Sequence, residues 1–222
     1  MKNRDYKNFV QDGYYHLFNR GNGKQEVFLD NEDRKFFLFR LKENLFPKSP
    51  EGSLLGGASI IAQAHTPYIR KLLPPGCFTL LCYCLMPNHV HFLIRQNTEL
   101  PISKLIGKVF TSYSKYFNTK YERVGHVFQD RIKAVRVEND SQLMWLSSYI
   151  HNNPKVAELV FDLKDFQWSS YLDYIGIRNG TLCDKDFILK MFPSSQAYSE
   201  FVNSSAEMIK VRKGIEYLLL DE

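Results

Sequence analysis

Residues 77–95 read CFTLLCYCLMPNHVHFLIR, two apolar runs rich in β-forming side chains on either side of Pro87-Asn88. A short polar break between two such runs predicts a β-hairpin. Side chains alternate between faces along a strand, so His89 and His91 would project from one face of the second strand. This stretch therefore predicts an antiparallel sheet that presents two imidazoles side by side.

The segments on both sides of the hairpin alternate between strand and helix patterns. Apolar residues spaced by three or four indicate helices, and β-prone runs that end at glycines indicate strands. The predicted order is β-α-β-β-α-β-α, the split β-α-β pattern of an α+β fold, an antiparallel sheet with its helices on one face. The further segments are a strand at 14–20, helices at 31–46 and 101–117, a strand at 127–138, and a helix capped by Asp140 or Ser141 and ended by Pro154.

Two stretches interrupt this pattern. Residues 47–76 are rich in proline and glycine, and we interpret them as a long inserted loop. From residue 158 the chain becomes polar and broken, with short helices predicted near 185–192 and 196–212. We therefore predict one α+β domain at 1–157, with residues 47–76 inserted in it, and a C-terminal helical appendage at 158–222.

The composition excludes several classes of protein. Of the 222 residues, 44% are hydrophobic and 24% charged, which is too apolar for a disordered chain. No apolar run approaches the roughly 20 residues of a membrane span, and the first residues do not resemble a secretory signal. The four cysteines form no C-x-x-C pair and are expected to be reduced thiols. We expect a cytoplasmic protein without a membrane partner.

The net charge of +5 is concentrated in one stretch. Residues 101–137 contain eight basic and two acidic side chains, a local net charge of +6. Scattered solvated lysines are the ordinary explanation of such a run, but interleaved aromatic residues would suit single-stranded nucleic acid. The candidate residues for binding nucleic acid are Lys115, Lys120, Arg123, Arg131, Lys133 and Arg136.

A second group of candidate site residues lies on the last helix of the pattern. Tyr149 and Asn153 are spaced i, i+4 and therefore share one helix face. By itself a helix tyrosine is usually a core aromatic, an asparagine before proline usually ends a helix, and paired histidines are often surface residues. Together they offer a phenol nucleophile and ligands for a divalent cation, the groups that phosphodiester cleavage requires.

These residues resemble those of a known family. MPNHVHFLI resembles the HUH motif of single-tyrosine transposases, and YIHNNP resembles the tyrosine helix of the REP-associated tyrosine transposases. GHVFQDRIKAV, NRGN and WSSY also resemble segments of that family, and Arg131 in the first of them is the leading candidate for binding a DNA phosphate. Resemblance to a family that acts on DNA also implies association with the nucleoid. The resemblance runs from about residue 13 to 172, with a weaker similarity to about residue 202.

The resemblance implies a ferredoxin-like or RRM-like sheet and a metal-dependent endonuclease that cleaves and rejoins single-stranded DNA at a hairpin. Tyr149 would attack the phosphate, giving a 5′-phosphotyrosine and a free 3′-hydroxyl. His89, His91 and Asn153 would hold the metal. The family implies Mg²⁺ or Mn²⁺, although two imidazoles also suit zinc. Relatives act as monomers or as homodimers, so both states stay open.

The sequence departs from the family pattern in three places. The first departure favours the REP-associated branch, and the last concerns the edge of the site. Insertion-sequence members commonly carry glutamine at the position of Asn153, the residues after Pro154 read Lys-Val-Ala, and the insertion at 47–76 is atypical. Two other functions stay open: a hairpin-binding module without cleavage, and a metal-dependent ribonuclease or phosphodiesterase that uses water as the nucleophile.

Overall fold

A four-stranded antiparallel sheet lies at the centre of the computed structural model, which describes residues 9–47, 72–129 and 132–218. The strands are β1 Tyr14–Arg20, β2 Phe78–Met86, β3 His89–Gln96 and β4 Lys133–Val137. Across the sheet they follow the order β2-β3-β1-β4, and each neighbouring pair is antiparallel. A split β-α-β chain produces this order, so the predicted α+β, ferredoxin-like fold is confirmed.

The described part of the chain contains six α-helices, none of them long and apolar enough to cross a membrane. Their bounds are α1 Asn31–Leu45, α2 Ile102–Lys120, α3 Asp140–Val156, α4 Tyr171–Tyr174, α5 Asp186–Leu189 and α6 Ser195–Leu218. The first three and the two predicted C-terminal helices lie where the sequence pattern placed them, within a few residues. The N-cap of α3 is Asn139, one residue before the predicted cap.

The larger apolar core lies between one face of the sheet and the helices α1 and α2. Alternate side chains of β3, such as Val90 and Phe92, point into it because strand residues alternate between faces. Aromatic contacts join the two helices to the sheet, since the Phe37 ring lies 5.9 Å from Phe92 and 5.1 Å from Tyr113. This layer matches the predicted sheet with helices on one face.

The third helix departs from that prediction. α3 packs on the opposite face of the sheet, where β2 and β3 contribute Cys84 and Leu93 to a second core with Leu143 and Ile150 of the helix. The expectation that all helices share one face is therefore wrong for α3. The physical reason is that β2 is apolar on both faces, so a single helix layer would leave Cys84 and Met86 exposed.

The prediction that Pro154 ends the last helix is also wrong. α3 continues through Pro154 to Val156. Proline has no N–H to donate to the carbonyl of Ile150, but the side-chain amide of Asn153 donates to that carbonyl at 3.3 Å and to that of Tyr149 at 2.9 Å. The asparagine thus supplies a hydrogen bond that the proline removes.

The fourth strand is shorter than predicted. β4 begins at Lys133, and Phe128 makes only an isolated bridge with Gly21. The leading phosphate candidate, Arg131, lies outside the described residues, as does most of the predicted insertion at 47–76.

The chain after residue 157 packs on the second core. The backbone N–H of Leu85 donates to Trp168 at 2.9 Å, and that of Ser170 donates to Tyr83 at 3.0 Å, so this segment extends the free edge of β2. The helix α6 then packs along α3. The division of the chain at residue 157 stays a prediction. All four cysteines carry free thiols, as expected.

A buried carboxylate joins α1 to α2. Asp33 accepts hydrogen bonds from the backbone N–H groups of Leu29 and Asp30, and Asp30 accepts from the backbone of Asp33 in return. The same carboxylate contacts Lys120 Nζ and the Tyr121 hydroxyl, each at 2.9 Å. Because Asp33 is completely buried, its carboxylate depends on these donors in place of water.

We predict that Asp33→Ala lowers the free energy of unfolding by about 2 kcal/mol, since it leaves the backbone N–H groups of Leu29 and Asp30 without their acceptor, whereas Lys120 keeps its contact with Asp30. Urea denaturation measures this change. The exposed Glu32→Ala in the same helix turn is the control and should cost less than about 1 kcal/mol. Equal losses in the two variants would contradict the assignment.

Candidate active site

His89 and His91 project from the same face of β3, as the alternation predicted. Their ring centroids lie 5.0 Å apart and the ring planes are 87° from parallel. His91 is 5% exposed, whereas His89, nearer the hairpin turn, is only partly buried. Two imidazoles at this separation can serve as neighbouring ligands of one metal ion.

The tautomer of His89 follows from its neighbour. The Asn88 side-chain amide donates to the carbonyl of Lys24 at 3.3 Å, which turns its oxygen toward His89. Since that oxygen only accepts, the Nδ1–H of His89 donates to it at 2.6 Å. In the neutral ring the lone pair is then on Nε2, the nitrogen that a metal would use.

Tyr149 lies on α3 beside the second histidine. Its half-buried ring stands 90° to that of His91 with a centroid distance of 5.7 Å. The structure thus brings together the predicted nucleophile and a predicted metal ligand that are 58 positions apart in sequence. Their proximity depends on α3 lying on the histidine face, which the sequence pattern did not predict.

Asn153 lies one turn after Tyr149 and is fully buried. Its amide nitrogen donates to the backbone of α3, so its oxygen is the group suited to a cation. In the described residues no group of three or more His, Cys, Asp and Glu side chains is arranged to hold a metal. A metal bound by His89 and His91 would therefore need an amide oxygen or a substrate oxygen to complete its ligands.

His16 is a site residue that the sequence reasoning missed. It lies on β1, and its Nε2 is 3.0 Å from His91 Nδ1. Its ring also packs edgewise on Tyr149 at 5.8 Å and beside Phe18 at 5.1 Å. The strand pattern of residues 14–20 placed His16 on a sheet face, but only the pairing of β1 with β3 shows that this is the histidine face.

The predicted DNA-binding residues do not form one surface. Lys133 pairs in register with Phe18 and lies over its ring at 5.8 Å, on the histidine face. Arg136 pairs with Tyr15, whose side chain belongs to the opposite core, so it lies on the other face. The remaining candidates within the described ranges, Lys115, Lys120 and Arg123, are on α2 or just after it, also on the other side of the sheet.

Two of these candidates are engaged within the protein. Lys120 Nζ lies 2.6 Å from Asp30 and 2.9 Å from Asp33. Arg123 donates to Gln25 at 2.6 Å and lies over Phe117. Lys115 is exposed and borders a groove of about 620 Å³ between α2 and residues 125–129, which none of His89, His91 and Tyr149 lines.

A buried histidine anchors the tyrosine helix to the C-terminal segment. His151 Nε2 lies 2.8 Å from Ser170 Oγ, and its Nδ1 lies 2.7 Å from the Tyr198 hydroxyl of α6. Burial lowers the pKa of His151 to about 3, and the charge of Arg178 adds to this effect. The ring is therefore neutral at ordinary pH and connects three parts of the chain.

The chain is similar to known proteins in sequence and in fold. Residues 59–153, which include β2, β3, α2, β4 and Tyr149, match the family model described as IS200-like transposase. A solved structure of a REP-associated tyrosine transposase bound to a REP hairpin is similar in fold, with a TM-score of 0.53 and 13% identity. The match covers 81% of this chain and 93% of that chain. No curated protein matches the chain.

The low pKa of His151 makes stability depend on pH. The unfolded chain binds a proton near pH 6.5 and the folded chain only near pH 3, so acid favours unfolding. The free energy of unfolding should fall as the pH drops below about 6.5, by up to about 1.4 kcal/mol per pH unit from this residue. We predict that His151→Gln removes this contribution.

Urea denaturation between pH 6.5 and 4.5 measures the two slopes. Other titrating groups affect both proteins, so the difference between the slopes reports His151. The exposed His126→Gln is the control and should keep the parent slope. Parallel pH profiles for the parent and His151→Gln would contradict the prediction.

Proposed function

We propose that this chain is a transposase-like enzyme that cleaves and rejoins single-stranded DNA at hairpins through Tyr149, since residues 59–153 match the IS200-like transposase model, as the resemblance predicted. Its family supports a role in DNA transposition and a DNA substrate. The observation that carries the finer proposal is the position of the Tyr149 ring, 5.7 Å from His91, which is itself 5.0 Å from His89. A phenol nucleophile beside two potential metal ligands suits phosphodiester chemistry.

The proposed step exchanges one phosphate ester for another. Tyr149 loses its phenol proton to water, its oxygen forms a bond to the phosphorus, and the bond from phosphorus to the 3′ oxygen breaks. The departing 3′ oxygen takes a proton and becomes a free hydroxyl, while the 5′ side stays on the protein as a phosphotyrosine. Reversal of the step by another 3′-hydroxyl rejoins the DNA, because the ester bond is conserved.

The residues fit a divalent cation, for which we propose Mg²⁺ or Mn²⁺. His89 would bind it through Nε2, because its Nδ1–H is already donated to Asn88, and His91 and the Asn153 oxygen would complete the protein ligands. When bound, the ion would stabilise negative charge on the phosphate as a Lewis acid. Phosphate oxygens would supply the oxygen ligands that these ions prefer.

We propose hairpin DNA as the substrate because the structural relative, which shares the fold, is bound to a REP hairpin. In this chain Lys133 and Phe18 lie on the histidine face and could contact a phosphate and an unpaired base there. Tyr149, His89 and His91 all come from one chain. The proposal covers both a monomer and a homodimer, since each copy of the chain holds all three residues.

We predict that Tyr149→Phe abolishes the covalent adduct between the protein and a 5′-labelled or 3′-labelled single-stranded hairpin oligonucleotide in Mn²⁺. The variant keeps the ring that packs on His91 and removes only the attacking oxygen. Denaturing gel electrophoresis detects the adduct, and the end label that it retains identifies the 5′-phosphotyrosine.

The matched control is Tyr116→Phe, a partly buried tyrosine on α2 that should form as much adduct as the parent. Adduct formation by Tyr149→Phe would show that another residue is the nucleophile. Cleavage by the parent without any adduct would favour hydrolysis by water, and hairpin binding without cleavage in any metal would favour a binding module.

We also predict that Lys133→Gln weakens hairpin binding and reduces the slope of log affinity against log salt concentration by about 1, since one phosphate contact is lost. Filter binding or fluorescence anisotropy at several salt concentrations measures the slope. Lys42→Gln, an exposed lysine in the last turn of α1, is the control and should keep the parent slope. Identical slopes for the parent and Lys133→Gln would remove Lys133 from the interface.

A further inference from the structure

We propose that His16 is a positioning residue that holds His91 in the tautomer and orientation needed to bind a cation through Nε2. This inference rests on the proposed function, because it gives His91 the part of a metal ligand. It adds a residue from β1 to a site otherwise built from β3 and α3. Its observable consequence, the position of one hydrogen on His91, exists without any metal or DNA.

The two rings meet edge to edge. His16 Nε2 and His91 Nδ1 are 3.0 Å apart, whereas the ring centroids are 5.2 Å apart and the ring planes only 19° from parallel. The nitrogens therefore approach along the line that joins two nearly coplanar rings. This is the geometry of an in-plane hydrogen bond, in which the lone pair of one nitrogen faces the N–H of the other.

The hydrogen between these two nitrogens belongs to His91 if that residue is a ligand. A neutral imidazole has one N–H and one lone pair, and a metal needs the lone pair. Because His91 Nδ1 faces His16, Nε2 is the nitrogen that can reach an ion, and Nδ1 must then carry the hydrogen. His16 accepts it on Nε2. Ligand histidines in metal sites commonly donate their other N–H to a partner in this way.

The same arrangement occurs at the first histidine. The Nδ1–H of His89 donates to Asn88 at 2.6 Å, so both histidines of the pair would present Nε2. Asn88 precedes His89 in the chain, whereas His16 reaches His91 from the adjacent strand. His16 and His91 are 7% and 5% exposed, so little water can replace the acceptor if His16 is removed.

Packing around His16 extends this role to the nucleophile. The His16 ring lies edgewise on Tyr149 at 5.8 Å, and Tyr149 lies edgewise on His91 at 5.7 Å. The three rings thus contact one another pairwise. A residue that fills this position without an acceptor would preserve the packing and lose only the hydrogen bond, which separates the two effects of His16 in an experiment.

The test compares His16→Phe, which keeps an aromatic ring but has no acceptor, with His16→Gln, whose amide oxygen can accept the His91 hydrogen. ¹⁵N-detected NMR of the imidazoles, on metal-free protein well above pH 7, reports which nitrogen of His91 carries hydrogen. We expect hydrogen on Nδ1 in the parent and in His16→Gln, and a mixture of tautomers in His16→Phe. Hydrogen on Nε2 in the parent, or an unchanged His91 in His16→Phe, would overturn the proposal.

A second measurement is the affinity for Mn²⁺ alone, followed by electron paramagnetic resonance. We expect His16→Phe to bind Mn²⁺ about 10- to 100-fold more weakly than the parent, and His16→Gln to recover most of the affinity. Parent-like affinity in His16→Phe would overturn the proposal. The exposed His126→Gln should bind like the parent, and thermal melting establishes that each variant is folded.

The two readouts separate this proposal from the proposed function. If the parent shows the expected tautomer but no Mn²⁺ binding, the metal part of the proposed function fails and the hold of His16 on His91 stands. If the parent binds Mn²⁺ and forms the Tyr149 adduct but His16→Phe has the parent tautomer, the proposed function stands and the role of His16 fails.

Discussion

The antiparallel pairing of β1 with β3 is the constraint on which the candidate site depends. The register sets Phe18 opposite His91 and His16 opposite Leu93, so His16 becomes the diagonal neighbour of His91 on one face. A shift of one residue in this pairing would turn His16 and Phe18 to the opposite core. The buried apolar residues that alternate with them, such as Leu17, prevent that shift, because it would expose them to the polar site. The apolar core thus fixes the positions of His16 and Phe18 relative to His91.

The position of the tyrosine depends on a second, polar set of contacts. The face of α3 that meets α6 carries Ser147, His151 and Asn152, all fully buried. Tyr198 of α6 contacts both His151 and Ser147, and Asn152 donates to the α6 carbonyl of Val202 at 2.7 Å. Buried polar groups need their partners in the right direction, so such an interface allows fewer orientations of a helix than an apolar one. The C-terminal segment therefore helps to set the orientation of α3, the helix that carries Tyr149.

The basic stretch at 101–137 has a different meaning in three dimensions from its meaning in sequence. The local charge of +6 suggested one surface that guides DNA to the site. In the structure Lys133 lies on the histidine face, whereas α2 and its lysines lie across the sheet, and Lys120 is neutralised by Asp30 and Asp33. Opposite faces of a sheet with helices on both sides are farther apart than the roughly 10 Å over which charges act in physiological salt. Charge counted along the chain therefore overstates the positive field at the site.

Local pattern determined most of the secondary structure and four of the candidate site residues. Strand alternation placed His89 and His91 on one face of β3, and helical spacing placed Tyr149 and Asn153 on one face of α3. The sequence predicts such relations because they depend only on residues close in the chain. Tertiary structure alone decided that α3 covers the histidine face and that Asn153 carries the helix past Pro154. It also decided that His16 contacts His91 and that His151 joins α3 to the C-terminal segment. These relations join residues distant in sequence through strand register and buried hydrogen bonds. A local pattern carries no information about either.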